Sequence, residues 1–312
     1  MSQWSIDSEG DIQDTQDTQD TQPIQPARDA ERGEHGFDYE KMPVHSGPDA
    51  PIGVFDSGAG GLTILSALRA ELPHEHFIYI GDTAHCPYGV RSDAEIIELS
   101  IHACRFLLEQ GVKLIVVACN TASQAALDSL RATFSQPFVG VVPAVKPAAR
   151  LTRRGRVGVM ATNQAVRAAY LQQLIDDYAS GVEVFAVGCP ELVTLVEQGQ
   201  LDGPEVEETL RQSLVPLLTE DVDVIVLGCT HFPALRRSVE RVAGSGVQVI
   251  DSGKAIARRA HAVLEAEEMV RPRTDEAIVG ELQVYCSGDA QDFSRVASKV
   301  LGYPVLAQYV LL

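Results

Sequence analysis

"KLIVVACNTAS", residues 113–123, reads as a buried strand that stops abruptly at Cys119, Asn120 and Thr121. A second run, "DVIVLGCTHFP" at 223–233, repeats the design with Cys229, Thr230 and His231. Apolar stretches without polar alternation suit strands covered on both faces, which is the pattern of parallel sheets. Each run is followed by helical sequence, so each cysteine stands where a strand hands over to a helix.

From Pro51 onward the same alternation continues. "PIGVFDS" predicts a strand and "GGLTILSALRAEL" a helix. "HFIYIGD" predicts the next strand, and "SDAEIIELSIHACRFLLEQG" a helix capped by Ser92 and closed by Gly111. "FVGVV", "RVGVMAT", "VEVFAVGC" and "VQVIDSG" add strands, with amphipathic segments between them. The expected class is α/β, with parallel-rich sheets flanked by helices.

The chain also repeats itself. "IGVFDS" at 52–57 matches "VGVMAT" at 157–162, "CPYG" at 86–89 matches "CPEL" at 189–192, and "VVACNT" at 116–121 matches "VLGCTH" at 226–231. The offsets of 105, 103 and 110 are nearly constant, which points to two similar domains of about a hundred residues rather than a solenoid. The expected division is residues 51–144 with 253–312, and residues 145–252. Ligands of open α/β sheets bind beyond the carboxyl ends of the strands. Two facing domains would therefore gather both sets of polar residues around one cleft.

Residues 1–50 are different material. They hold a D-T-Q repeat and twelve acids against three bases, a net −9 that is half of the whole chain's −18. Such a segment buries too little to offset its ordering entropy, so a disordered acidic tail is expected. The net charge argues against nucleic acid and anionic membrane as partners. With no spanning apolar run and no secretory leader, the expectation is a cytoplasmic protein. The 45% hydrophobic content of the 312 residues is enough for a sizeable core.

None of the six cysteines forms a C-x-x-C pair, which removes zinc ribbons and thioredoxin-like motifs. Cys104 and Cys286 read as buried small hydrophobes. Cys119 and Cys229 differ, because a helix N-terminus favours the thiolate and tunes it toward neutrality. A symmetric thiol pair suits removal of a proton from one face of a substrate and delivery to the other, as inversion of a stereocentre requires. Asp56 and Ser57 are placed to accept from a substrate ammonium. Asn120, Thr121 and Thr230, with backbone amides at helix starts, are placed to hold carboxylates. Tyr88 and Gly89 form a polar lip, His231 exchanges a proton with Cys229, and Glu191, the internal counterpart of Tyr88, serves the same half-site.

At these residues the chain resembles the cofactor-independent glutamate racemases of the aspartate/glutamate racemase superfamily. The matching blocks are "IGVFDSGAGGLTIL", "YIGDTAHCPYG", "VVACNTAS", "GVVPAVKPA", "VGVMAT", "CPELVTLVEQG", "VIVLGCTHFPAL" and "VIDSGKAIARR", in the family's order over residues 51–312. The resemblance implies two facing α/β domains, Cys119 and Cys229 as proton donor and acceptor, and no pyridoxal phosphate or metal. It further implies glutamate contacts from Asp56, Ser57, Tyr88, Gly89, Asn120, Thr121, Thr230 and His231, a D-glutamate supply for peptidoglycan, and by family habit a homodimer. The chain departs from the pattern at Ala165, where a second threonine is expected.

Three other readings compete. "GAGGLT" after a first strand, with Asp82 ending the second, approaches a dinucleotide fingerprint, but Thr63 holds the third glycine position and both thiols go unused. A metal site from Cys119, Cys229, His231 and Asp56 lacks local ligand spacing. A non-catalytic acid-binding protein would need neither thiol. Within the superfamily, aspartate racemase is the nearer alternative, since one methylene is worth only ~1–3 kcal/mol of discrimination.

Overall fold

The computed structural model describes residues 47–272 and 279–312. The acidic tail expected over residues 1–50 falls, up to residue 46, outside the described residues.

The chain begins β1 (Ile52–Asp56), α1 (Leu62–Glu71), β2 (Phe77–Gly81), α2 (Asp93–Glu109), β3 (Leu114–Val117), α3 (Asn120–Thr133), β4 (Phe138–Gly140) and α4 (Val145–Leu151). It continues through β5 (Arg156–Ala161), α5 (Asn163–Arg167), α6 (Ala169–Tyr178), β6 (Glu183–Gly188), α7 (Pro190–Glu197), α8 (Pro204–Thr219), β7 (Val224–Leu227), α9 (Arg236–Ala243) and β8 (Gln248–Ile250). It closes with α10 (Gly253–Ala266), β9 (Leu282–Cys286), α11 (Ala290–Leu301) and β10 (Ala307–Tyr309).

The strands form two sheets, ordered β10-β9-β2-β1-β3-β4 and β6-β5-β7-β8, and their pairings are parallel. The orders 2-1-3-4 and 6-5-7-8 are the same order twice, so the internal repeat read from sequence is a repeat of topology. β1 corresponds to β5 and β3 to β7, and in each sheet the two lie side by side at the centre. β9 and β10 extend the first sheet beyond β2, whereas β6 remains an edge strand with half-exposed residues.

Both faces of the first sheet are covered at its centre, which is why β1, β2 and β3 are buried along their whole length. One face packs Val54, Tyr79 and Val116 under α1, α10 and α11. The other packs Phe55, Ile80 and Val117 under α2 and α3. Local signals set the helix ends. Ser92 and Glu95 make a reciprocal capping box at the start of α2, and Gly111, at φ 74°, supplies the left-handed residue beyond its end.

β3, the strand that carries Cys119 at its carboxyl end, is pinned at its amino end by Lys113. This ammonium is fully buried and donates to Glu75 Oε2 at 2.6 Å, to the Pro48 carbonyl at 2.6 Å and to the Met269 carbonyl at 2.8 Å. Burial draws its pKa down against the opposing pull of Glu75. Removing one member of such a pair leaves the other charge buried and alone. Lys113→Met is therefore expected to cost about 3–5 kcal/mol in urea denaturation, and adding Glu75→Leu should recover part of that loss.

Candidate active site

Cys119 is the N-cap of α3, with its Sγ accepting from the Ala122 amide at 3.5 Å and lying 3.7 Å from Ser57 Oγ. The sequence predicts this helix start. Cys229 has a different setting. No α-helix follows it directly; the chain enters a short 3₁₀ turn, Phe232–Leu235, and the partner of Cys229 Sγ is His231 Nδ1 at 3.5 Å. Equivalent positions of the repeat thus hold equivalent thiols in unlike surroundings. Both thiols are buried and line one small cavity with Ser57, Thr121, Thr162 and Thr230.

A relay of hydrogen bonds runs behind Cys229. His231 Nε2 meets Glu197 Oε1 at 2.5 Å, and the same oxygen accepts from the Ala59 amide at 2.8 Å. Asp56 Oδ1 accepts from the Gly58 amide at 2.8 Å, and its Oδ2 from Thr230 Oγ1 at 3.2 Å. Thr63 Oγ1 donates to the Thr230 carbonyl at 2.8 Å, a further tie between the first sheet's helix and the second sheet's turn. The Gly58 and Ala59 amides of the "GAGG" turn are therefore taken by two carboxylates. Asp82 accepts from Tyr88 OH at 2.8 Å and from Ser287 Oγ at 2.6 Å, and faces His85 Nδ1 at 2.9 Å. The dinucleotide reading finds neither a cradle of open amides nor an acid ready for a ribose.

Burial dominates the electrostatics. Asp56 is raised to about 6, by desolvation first, with the His231 charge opposing. Cys119 is pushed up to about 12, again by desolvation, then by the Asp56 carboxylate; the Ala122 amide and Ser57 offset this only in part. The expected tuning of this thiol toward neutrality is thus not met, because one helix-end amide does not outweigh complete burial beside an anion. Burial also pulls His231 down, but hydrogen bonds with Cys229, Cys86 and Glu197 outweigh it and hold the imidazole well above its usual value. The imidazolium and the Glu197 carboxylate stabilise one another, so Glu197 lies low despite its burial.

Other expected residues arrive at the cavity in modified roles. Tyr88 is buried rather than a polar lip: it lines the cavity while its hydroxyl is engaged by Asp82. Gly89 lies against α5, and a Cβ there would sit 3.2 Å from Thr162 Cβ. Asn120 also lines the cavity, and its buried Oδ1 has no hydrogen-bond partner among the described residues. The four ligands weighed for a metal do not gather. Among the described residues, the group of three or more metal-type ligands is Cys86, Glu197 and His231.

Glu191 requires a correction. It lies in the first turn of α7, is exposed, and does not line the cavity. The repeat "CPYG"/"CPEL" holds only as far as the proline. After Pro87 the chain makes a 3₁₀ turn that buries Tyr88, whereas after Pro190 it starts an α-helix whose second residue faces solvent. The acid of that helix that reaches His231 is Glu197, at the other end.

The model of the Asp/Glu/hydantoin racemase family matches residues 62–260, from the start of α1 into α10, both cysteines included. The chain belongs to this family. It is 47% identical over 248 residues to the glutamate racemase of Herpetosiphon aurantiacus, covering 80% of this chain and 96% of that one. The fold is similar to a Bacillus anthracis glutamate racemase, with a TM-score of 0.75 at 33% identity, covering 84% of this chain and 98% of that one. It is equally similar to an Escherichia coli glutamate racemase in complex with L-glutamate and the activator UDP-MurNAc-Ala, with a TM-score of 0.74 at 38% identity, covering 84% of this chain and 99% of that one.

Within this racemase, the cavity residues Pro87, Thr162 and Val193, with Glu197 and Cys86 beside His231, are not anticipated. Glu197 stands inside the block "CPELVTLVEQG", next to the buried Leu195 and Val196, but an acid on an amphipathic helix reads as a solvated face. Thr162 caps α5 by accepting from the Ala165 amide, so the position where a second threonine was expected serves through its backbone.

The raised Asp56 has a measurable consequence. Its folded pKa of about 6 exceeds its ordinary 3.8, so the folded state holds this proton more tightly than the unfolded chain. The burden of the buried charge is absent below the ordinary value and complete above the folded one. Stability should therefore fall as pH rises from about 4 to 6.5, by up to about 3 kcal/mol. Asp56→Asn is expected to flatten that window in thermal denaturation and to lower turnover at least tenfold.

Proposed function

We propose that this chain is a glutamate racemase, interconverting L- and D-glutamate by proton transfer between Cys119 and Cys229. The observation that carries the reading is the pair of buried thiols, borne on equivalent strands of two repeated sheets and lining one cavity. Its choice of glutamate rests on the relatives, which are glutamate racemases by name at up to 47% identity over most of their length. The domain division at 144/145 and 252/253 fits the two sheets, with the crossing points just before α4 and at α10.

A thiol held as high as Cys119 needs a cation to ionise, and the substrate brings one. An α-ammonium seated between Asp56 and Asn120 Oδ1 offsets the carboxylate that raises Cys119, so thiolate formation is coupled to binding. Ser57 donates to the developing thiolate. The substrate's carboxylates fall to Thr121, Thr230 and the backbone amides near them, with Tyr88 and Gly89 shaping the wall. On the opposite side His231 exchanges the proton of Cys229, steadied by Glu197. One thiolate takes the α-proton while the other thiol supplies its own to the reverse face. Neither step calls for an electron sink or a Lewis acid, so the reaction needs no pyridoxal phosphate and no metal.

D-glutamate made this way would feed peptidoglycan synthesis in the cytoplasm, and a homodimer is the assembly proposed from family habit. No helix of the described residues is long and apolar enough to cross a membrane.

The family resemblance assigns Cys119 to D-glutamate and Cys229 to L-glutamate. Replacing either by alanine should reduce racemisation in both directions by about 10²–10⁴-fold, the usual worth of general acid–base catalysis. The double variant should lose little more. In heavy water, Cys119→Ala is expected to exchange the α-proton of L-glutamate without inversion, and Cys229→Ala that of D-glutamate. Near-normal racemisation by Cys119→Ala, or exchange of the same enantiomer by both variants, would exclude the two-thiol mechanism.

A further inference from the structure

One thiol at the cleft has no part in the proton transfer. Cys86 follows β2, on the loop that leads into Tyr88, and is half-buried. Its sulfur, a carboxylate oxygen of Glu197 and a ring nitrogen of His231 all lie within 4.8 Å of one another. Gly58 lets them converge: a Cβ at this position would collide with the Glu197 carboxylate and come within 2.9 Å of Cys86 Sγ. Two of the three groups are fixed from outside the cluster. Glu197 is held by the Ala59 amide, and His231 by Cys229.

A thiolate, an imidazole and a carboxylate on preset supports are donors of the kind zinc takes, and three protein ligands leave the fourth tetrahedral position open. We propose that Cys86, His231 and Glu197 form a binding site for a thiophilic divalent cation of the zinc type, and that filling it stops the reaction.

Binding forms bonds from the cation to Cys86 Sγ, to a ring nitrogen of His231 and to an oxygen of Glu197. The thiol proton of Cys86 leaves to solvent, as does one imidazole proton where His231 is charged. No oxidant or reductant is involved. A coordinated thiol is deprotonated by the cation itself, which overcomes the burial that otherwise keeps Cys86 protonated.

The inhibitory part rests on the reading that His231 serves Cys229. A cation on His231 occupies the imidazole that exchanges protons with Cys229 and breaks the direct His231–Glu197 hydrogen bond of 2.5 Å. It also places positive charge near Asp56, the carboxylate assigned to the substrate ammonium. His231 also lines the catalytic cavity, so glutamate and the cation should compete.

Cobalt(II) titrated into the full chain reads the site without reference to activity. One equivalent should give a thiolate-to-cobalt charge-transfer band in the near ultraviolet, and zinc should displace it. The band should persist in Cys119→Ser and in Cys229→Ser and vanish in Cys86→Ser; Cys86→Ala substitutes if the serine variant does not fold. In turnover assays with chelator-buffered zinc, the wild type should be inhibited and recover with EDTA. In the turnover that Cys86→Ser retains, half-inhibition should need at least tenfold more zinc. Absence of the band in the wild type, its survival in Cys86→Ser, or equal zinc inhibition of both proteins would overturn the site. A wild type without any glutamate turnover would instead refute the racemase reading, and the cobalt band would still decide the metal site.

Discussion

One carboxylate oxygen joins the two halves of the site. Glu197 Oε1 takes the Ala59 amide, which belongs to the turn after the first strand, and faces the ring of His231, which belongs to the second sheet. Asp56 repeats the arrangement from the other side, reaching Thr230 across the same cleft. Carboxylates withdrawn from water are tolerated only when paired and hydrogen-bonded, and here buried Asp56 and half-buried Glu197 each find part of their partners in the opposite half. The cavity between the sheets is therefore held by the same groups that set its charge.

The scaffold is close to symmetric and its tuning is not. Two sheets of like order place Cys119 and Cys229 at matching strand ends. One thiol is then supported by a helix-end amide and a serine, the other by a histidine with an acid behind it. Such a division suits a reaction whose substrate and product are mirror images about one carbon while the protein around them is not. The bulk of the fold supplies opposed positions, and a few loop residues decide how readily each position gives up its proton.

Much of this was legible in the sequence because it depends on local rules. Apolar runs gave the parallel strands, Ser92 and Gly111 bracketed α2, and the aligned strand ends exposed the duplication and with it both cysteines. What could not be read depends on helix phase and on burial. Glu191 and Glu197 lie on one helix, and only its docking angle decides which acid faces the cleft. Tyr88 matched a polar lip by residue type, but Asp82, equally buried, draws its hydroxyl inward. The acidity of Cys119 escaped for a related reason: a strand-to-helix junction is visible in sequence, whereas the desolvation that outweighs it is a property of everything packed around it.

The Lys113 anchor also fixes the geometry of attachment. Pro48, whose carbonyl it binds, lies at the amino ends of the strands, and the cysteines lie at the carboxyl ends. Six residues of extended chain from Lys113 to Cys119 span roughly 20 Å. Pro48 thus lies on the far rim of the sheet from the reacting atoms. That rim is the natural place to couple the enzyme to a surface, a dye or a fusion partner, with the mouth of the cleft turned away from the linkage.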